Sequence, residues 1–475
     1  MAKYKAYPEY KDSGVEWLGK IPEHWQLSKL RYMFTFGKGL TITKENLQDE
    51  GIPCVNYGEV HSKYGFEVDP QEHPLKCVSE TYLKNNTTSL LIKGDVVFAD
   101  TSEDIEGSGN FTQLISNVTT FAGYHTIIAR PLKRNNSRFY AYLLDCKELR
   151  AQVRHAVKGV KVFSITQAIL RNISIWLPSE NEQGKISAFL NHETAKIDNL
   201  IEKQQQLIEL LKEKRQAVIS HAVNKGLNPN VPMKDSGIEW LGEVPEHWVI
   251  SQLKSNVSTR KGIAFKSTDF SDSGIRVVKA SDIKKKTIHC SDVFLPEKFS
   301  EDYPKAILKF GDIVLSTVGS NPDVKNSAVG QLGYIPIELD GALLNQNTVV
   351  FSSSSNVLDQ FYLFFLIQTD VYRDHLDLHA HGTANQASLN VSDMLDFKYA
   401  RPPLSEQVEI VEYIQNYNLN FDNLEAHSEA AIKYLQERRT ALISAAVTGK
   451  IDVRDWVAPV NSEMANIEES PEVNA

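Results

Sequence analysis

Over most of the chain apolar and polar residues alternate in short runs, but twice the pattern lengthens into a continuous stripe. The first stripe covers residues 182–223 (EQGKISAFLNHETAKIDNLIEKQQQLIELLKEKRQAVISHAV) and the second residues 406–447 (EQVEIVEYIQNYNLNFDNLEAHSEAAIKYLQERRTALISAAV). In the first, Ile197, Leu200, Leu207, Leu211 and Val218 recur at spacings of three and four, with Gln204 as a polar interruption and Ile201 and Ile208 widening the stripe. In the second, Phe421, Leu424, Ala431, Leu435 and Leu442 take the same places, with Ser428 in register with Gln204. The spacing predicts two long helices with a coiled-coil seam, and a polar residue in such a seam fixes register at some cost in stability. Neither stripe has an apolar partner in its own half, so the two helices are expected to pack antiparallel on each other. About 40 residues at 1.5 Å each make a rod of roughly 60 Å, expected to hold two globular heads apart.

The stripes are one part of a duplication. At an offset of 224, Glu182-Gln183 falls on Glu406-Gln407, Asp198-Asn199-Leu200 on Asp422-Asn423-Leu424, and Arg215 on Arg439. At an offset of 223, KDSGVEWLGKIPEHWQLSKL (residues 11–30) returns as KDSGIEWLGEVPEHWVISQL (residues 234–253). Trp17 and Trp25 in this segment read as an aromatic cap that docks the start of each half, since large aromatics act mainly through buried area. Between segment and stripe, short runs at 52–55, 96–98 and 126–129 predict strands, and 139–149 and 151–157 carry helical periodicity. The second half repeats the anchors Gly94-Asp95 as Gly311-Asp312, His125-Thr126 as Asn347-Thr348, and Pro178 as Pro402, but the loops at 101–113 and 317–326 share little. The fold class is therefore α+β: two mixed α/β heads separated by a two-helix antiparallel coiled coil, with internal pseudo-twofold duplication. The expected boundaries are a first head at 1–177 with its docking segment at 11–30, and a first helical region at 178–226. A second head follows at 227–402 with its docking segment at 234–253, then a second helical region at 403–451 and an acidic, flexible tail at 452–475.

Composition narrows the function. The 475 residues are 42% hydrophobic and 23% charged, as in ordinary soluble domains. The longest apolar run, residues 361–367, is far short of the roughly 20 residues that span a bilayer, and the first ten residues show no apolar leader, so a cytoplasmic protein without membrane partners is expected. Cys54, Cys77, Cys146 and Cys290 lie far apart and read as reduced thiols. A net charge of −9 argues against a uniformly basic nucleic-acid binder. Yet Lys254, Arg260, Lys261, Lys266, Arg276, Lys279 and Lys284 to Lys286 cluster between 254 and 286, leaving a local basic face. No phosphate loop, H-E-x-x-H or nucleophile elbow is present. His375 and His379 share a helical face next to His381, so a metal-dependent hydrolase or nuclease using the His375-His381 cluster is one alternative; the polar end of a helix is the plainer reading. A coiled-coil adaptor without a DNA role is the other.

The order of variable head, Pro…Glu-Gln, long helix with L-x-E-x-R/K-R…A-x-I-S-x-A-V, then a second head and helix, resembles the specificity subunit of type I restriction-modification systems. Pro178, Glu182, Gln183 and residues 211–223 carry it, with Pro402, Pro403, Glu406, Gln407 and residues 435–447. The resemblance implies a non-catalytic subunit whose heads are target recognition domains, each reading one half of a bipartite double-stranded DNA sequence, with the helices as spacer. It implies two modification (methyltransferase) subunits and restriction (translocase/nuclease) subunits as partners. S-adenosylmethionine, ATP and Mg are expected on those partners, and no cofactor on this chain. It also points to DNA-facing loops: Thr101, Ser102 and Asn110, with Gly159 and Lys161, in the first head, and Thr317, Ser320 and Asn321, with Gly382, Asn385 and Gln386, in the second. Lys38, Thr43, Lys44, Asn56, Tyr57, Arg260, Lys261 and Lys279 are further candidates. The Glu-Gln starts of the helices, with Arg215 and Arg439, are where the modification subunits are expected to dock.

Overall fold

The computed structural model describes residues 4–157, 162–284, 286–289, 292–319, 329–383 and 386–458. They fall into two compact units, one within Met1–Gln204 and Ala430–Ala475, the other Gln205–Glu429. The boundaries expected from sequence lie at the starts of the long helices; the compact units instead divide each helix midway. The reason is burial. The first helix, Glu180–Lys225, buries Ile186, Phe189, Leu190 and Ile197 in the core of the first unit but Ile219, Ala222 and Val223 in that of the second. The second helix, Leu404–Val447, gives Ile410, Val411 and Ile414 to the second core and Leu442, Ile443 and residues 445–447 to the first. Each head is completed by the end of a helix that begins in the other repeat.

The first unit is built on a five-stranded sheet in the order Phe34–Lys38, Thr126–Pro131, Val96–Ala99, Phe111–Leu114, Phe66–Val68. Alternate residues point to opposite faces of a strand, so Val96 and Phe98 enter the main core while Val97 and Ala99 enter a second cluster with Val55, Leu91 and Ala122. Both faces are covered, which is why the run VVFA is apolar throughout. The strand expected at 52–55 is Ile52–Val55. The helical stretch breaks at Cys146, whose extended backbone separates Ser137–Asp145 from Lys147–Ala156. The second unit repeats the plan with Val257–Lys261, Thr348–Ser353, Ile313–Ser316 and Leu332–Tyr334, and again buries alternate residues on both faces.

The repeated Pro…Glu-Gln and Pro-Glu-His-Trp motifs meet at the start of each long helix. Glu182, 4% exposed, accepts from the Trp25 indole at 3.1 Å, from the Tyr7 hydroxyl and from His24 Nε2 at 3.0 Å. In the second unit Glu406 takes the Trp248 indole at 3.1 Å and His247 at 2.8 Å. Gln183 and Gln407 donate back to the carbonyls of Pro178 and Pro402 at 3.0 and 2.9 Å. The helix ends close on the same tryptophans: a Cβ on Gly449 would lie 2.4 Å from Pro22 and 3.3 Å from Trp25, and one on Gly226 would lie 3.2 Å from Trp248. Trp25 and Trp248 are fully buried, whereas Trp17 and Trp240 are about two-fifths exposed, at 42% and 41%, so the cap is formed by the second tryptophan of each segment. Chain beyond 451 is also ordered at its start: Val453 is buried and Trp456 packs edge-on to Phe189 at 5.6 Å, so the tail expected at 452 begins with packed residues. Its stretch 459–475 lies outside the described residues.

The seam needs a correction. Ile197, Phe421, Ser428 and Leu442 are buried, and Gln204, Leu211, Val218, Ala431 and Leu435 half-buried, but Leu200, Leu207 and Leu424 are 48%, 41% and 48% exposed. Beside that seam Ile208 is buried and Ile201 and Arg215 are half-buried in the first helix, and Glu425, Ile432 and Arg439 are half-buried in the second. Charged side chains thus sit beside the apolar seam. Arg439 pairs with Asp198 at 2.9 Å in the first unit and Arg215 with Asp422 at 2.6 Å in the second, its guanidinium over Phe421. Within each unit these pairs join the start of one helix to the end of the other, which is the expected antiparallel arrangement. They also occupy the arginines expected to dock partners, and Glu182, Gln183 and Gln407 are buried.

Two stability predictions follow from these contacts. Glu182→Ala strands the buried Trp25 and Tyr7 donors and is expected to cost about 3 kcal/mol, read as a drop in thermal midpoint; Glu406→Ala, with fewer donors and more solvent, should cost roughly half as much. Gly449→Ala, at φ 74° against Pro22, is expected to destabilise clearly more than Gly14→Ala, at φ 64° in open space, where only the left-handed backbone cost of about 1 kcal/mol applies.

Candidate nucleic-acid interface

In each head the Gly-Asp turn is clamped by arginine. Gly94 and Gly311 adopt φ 92° and 84°, and the following aspartate turns inward. Asp95, fully buried, accepts from Arg130 at 3.1 Å, Arg134 at 2.8 Å and the Ile92 amide at 3.0 Å. Asp312 accepts from the Lys309 amide at 2.8 Å and from Arg260, which also donates to the Ile307 carbonyl at 2.7 Å. Arg260 was expected to face DNA; it is an anchor for the turn.

The strand after this turn leads into the loop expected to face DNA, and the structure pairs that loop with the one before the next helix. Thr101–Ser102 pairs antiparallel with Phe163–Ser164. In the second head Val318–Gly319 pairs with Gln386–Ser388, which pairs in turn with His381–Thr383. Two segments about sixty residues apart in sequence thus form one ribbon in each head.

Beside each ribbon lies a cleft at the end of the central sheet. In the first head its volume is about 590 Å³, lined by residues 38–42, Asp100, residues 123–127 and residues 165–168. In the second it is about 280 Å³, lined by Lys261, Thr317, Gln346, Thr348 and residues 389–392. The backbone is equivalent: Asp100 N donates to His125 O and Ile165 N to Asp100 O, as Thr317 N donates to Asn347 O and Leu389 N to Thr317 O. Both clefts have a Lys-Gly pair at the rim. A Cβ on Gly39 would fall 1.9 Å from the Gly123 carbonyl and one on Gly262 2.0 Å from that of Asn345, so only glycine lets the rim approach so closely.

The side chains are not equivalent. The first cleft presents Asp100, Tyr124, His125 and Gln167; the matching positions of the second are Thr317, Gln346, Asn347 and Val391. His125 sits in the left-handed region at φ 53°, uncommon without glycine and characteristic of functional positions, with Nδ1 3.2 Å from Asp100 Oδ1. Burial holds the Tyr57 and Tyr124 hydroxyls above the usual phenol range, with the Glu103, Asp104 and Asp100 carboxylates adding to it at Tyr57 and Glu59 and Cys54 at Tyr124. Both therefore remain neutral hydrogen-bonding groups.

Lys38, Thr43, Lys44 and Lys261 are exposed, and Tyr57, Thr101, Lys279 and Thr317 half-buried. Asn56 and Ser102, each 1% exposed, are corrected: the Asn56 amide donates to the Cys54 carbonyl at 3.1 Å, and Ser102 to that of Asp104 at 2.6 Å. Asn110 is also engaged, accepting from Arg150 at 3.0 Å. Gly382 is exposed on the ribbon and Gln386 has its backbone there, while Gly159, Lys161, Ser320, Asn321 and Asn385 lie outside the described residues. Lys286, at the end of the basic cluster, reaches Gln216 at 3.1 Å. Residue type alone did not single out Asp100, Tyr124, His125 or Gln346; the repeated Lys-Gly pair and the unlike residues inside the repeated His125-Thr126 and Asn347-Thr348 anchors were the available signal. Of the histidine cluster, His375 Nε2 meets the Asp393 carbonyl at 2.8 Å and His379 Nδ1 that of His375 at 2.7 Å. Among the described residues no group of three or more potential ligands could hold a metal ion, and no helix is long and apolar enough to cross a membrane.

Two equivalent scaffolds that present unlike polar clefts, joined by paired helices, define a recognition scaffold. The chain belongs to the type I restriction-modification DNA specificity family: the model of that specificity domain matches twice, at residues 22–210 and 245–434. Members of this family are non-catalytic subunits. Among relatives, the MjaVIII specificity subunit of Methanocaldococcus jannaschii is 28% identical over 67% of this chain and 70% of its own, and the EcoKI specificity subunit of Escherichia coli is 21% identical over 95% of each. A chain from a solved type I restriction-modification system shares the fold with a TM-score of 0.65 and 14% identity, covering 91% of this chain and 99% of that one.

The two classes of candidate separate in experiment. With the assembled methyltransferase, Lys38→Ala is expected to weaken DNA binding and reduce the slope of log affinity against log salt by about one, without altering thermal stability. Asn56→Ala is expected to lower stability by about 1–3 kcal/mol and leave that slope unchanged.

Proposed function

We propose that each head reads one half of a bipartite double-stranded DNA target, and that the paired helices set the gap between half-sites and carry two adenine-methylating modification subunits. The observation that supports this most is the pair of clefts, alike in backbone and unlike in side chain, since base-edge contacts specify while phosphate contacts position. S-adenosylmethionine would be held by the modification subunits, and ATP and Mg by restriction subunits that complete a nuclease. With Glu182, Gln183 and Gln407 buried, Glu406 half-buried and the arginines engaged, the exposed helix residues Leu200, Leu207, Leu210, Leu419 and Leu424 are the better docking positions for the modification subunits.

Co-expression with an adenine methyltransferase subunit, followed by mapping of methylated positions, is expected to return a two-part motif with a fixed gap. Lengthening both helices by one turn, about 5 Å, is expected to change the gap by one or two base pairs and leave both half-site sequences as they were. A gap that does not move would contradict the spacer role.

A further inference from the structure

The two clefts differ in hydrogen-bonding sense as well as in residue identity. In the first, Asp100 is about one-third exposed, at 32%, and offers a carboxylate, which only accepts. His125 bonds its Oδ1, and among the described residues no hydrogen bond holds its Oδ2, while the residue lines the cleft. In the second the matching residue is Thr317, and the cleft instead carries the exposed amide of Gln346, which has no hydrogen-bond partner among the described residues. The shared groups are committed or generic. Thr126 Oγ1 donates to the Gly123 carbonyl at 2.7 Å and Thr348 Oγ1 to that of Asn345 at 2.6 Å, while Lys38 and Lys261 occupy the same rim position.

We propose that these clefts are the base-reading elements of the two heads, the first selecting cytosine through the Asp100 carboxylate held by His125, the second selecting adenine through the Gln346 amide. The proposal rests on the reading of the chain as a DNA specificity subunit. In the major groove cytosine presents its N4 amino donor, whereas guanine presents O6 and N7 and thymine O4, all acceptors that a carboxylate meets unfavourably. Adenine places an N7 acceptor next to its N6 donor, so it suits an amide, which donates and accepts side by side, better than a carboxylate. Lys38 and Lys261 then contact phosphate in both heads and carry no sequence information.

The test uses the full chain assembled with its modification subunits and duplexes in which each target position carries each of the four bases in turn. Asp100→Asn is expected to reduce discrimination for a cytosine in one half-site by roughly 10- to 100-fold and to leave the other half-site unchanged. Gln346→Ala is expected to do the same for an adenine in the other half-site. His125→Gly keeps the left-handed backbone available and should give a weaker form of the Asp100 effect, which decides the matter if the Asp100→Asn complex fails to assemble. Variants that discriminate as sharply as the unmodified complex, or that relax both half-sites together, overturn the proposal. An unmodified complex that prefers no bipartite sequence overturns the subunit reading itself, a separate failure.

Discussion

The structure depends on a carboxylate at the first turn of each long helix, buried at Glu182 and half-buried at Glu406. Glu182 gathers an indole, a phenol and an imidazole from the amino-terminal segment of its head, and Glu406 gathers an indole and an imidazole at the equivalent place. Burying a carboxylate is costly unless donors surround it, and here the donors come from the segment that must be fixed to the helix. The same tryptophans receive the end of a long helix at Gly449 and Gly226. One residue type therefore joins three parts of each unit: the helix that begins there, the helix that ends there, and the head between them.

That arrangement explains why the compact units cut the helices midway. A helix whose first half is buried in one core and whose second half is buried in another cannot belong to a single domain. The carbonyl of Val447 accepts from the Trp176 indole at 2.5 Å, and that of Val223, at the equivalent place, from the Tyr362 hydroxyl at 2.8 Å. The helix ends are held by the same geometry with different donors, as the clefts keep one backbone with different side chains. Duplication has kept the positions where chain meets chain and released those that face outward.

Much of this was legible from periodicity. The duplication, the long helices, the strand at 52–55 and the doubly buried strands needed only pattern and offset, because each repeats a local rule. Of the apolar pattern Ile197, Phe421, Ser428 and Leu442 are buried, and Arg215 and Arg439, which that pattern passes over, are half-buried where an aspartate of the facing helix receives each. Asn56 and Arg260 looked like DNA contacts because polarity does not reveal burial, and both bond their own head. The cleft residues escaped because Asp100, Tyr124 and His125 converge only through strand pairing, which no local window contains. Leu200, Leu207 and Leu424 fit the apolar pattern yet are largely exposed, because periodicity does not show which side of a helix its neighbours cover.

The central claim is that the two heads are independent readers on one repeated scaffold. It is tested most directly by replacing residues 249–402 with a second copy of residues 26–178, assembling the product with the modification subunits and mapping the methylated motif. The account predicts a motif of two identical half-sites, both matching the half of the original target that the first head reads. A motif that keeps both original halves, or an assembled complex that methylates without regard to sequence, would contradict it.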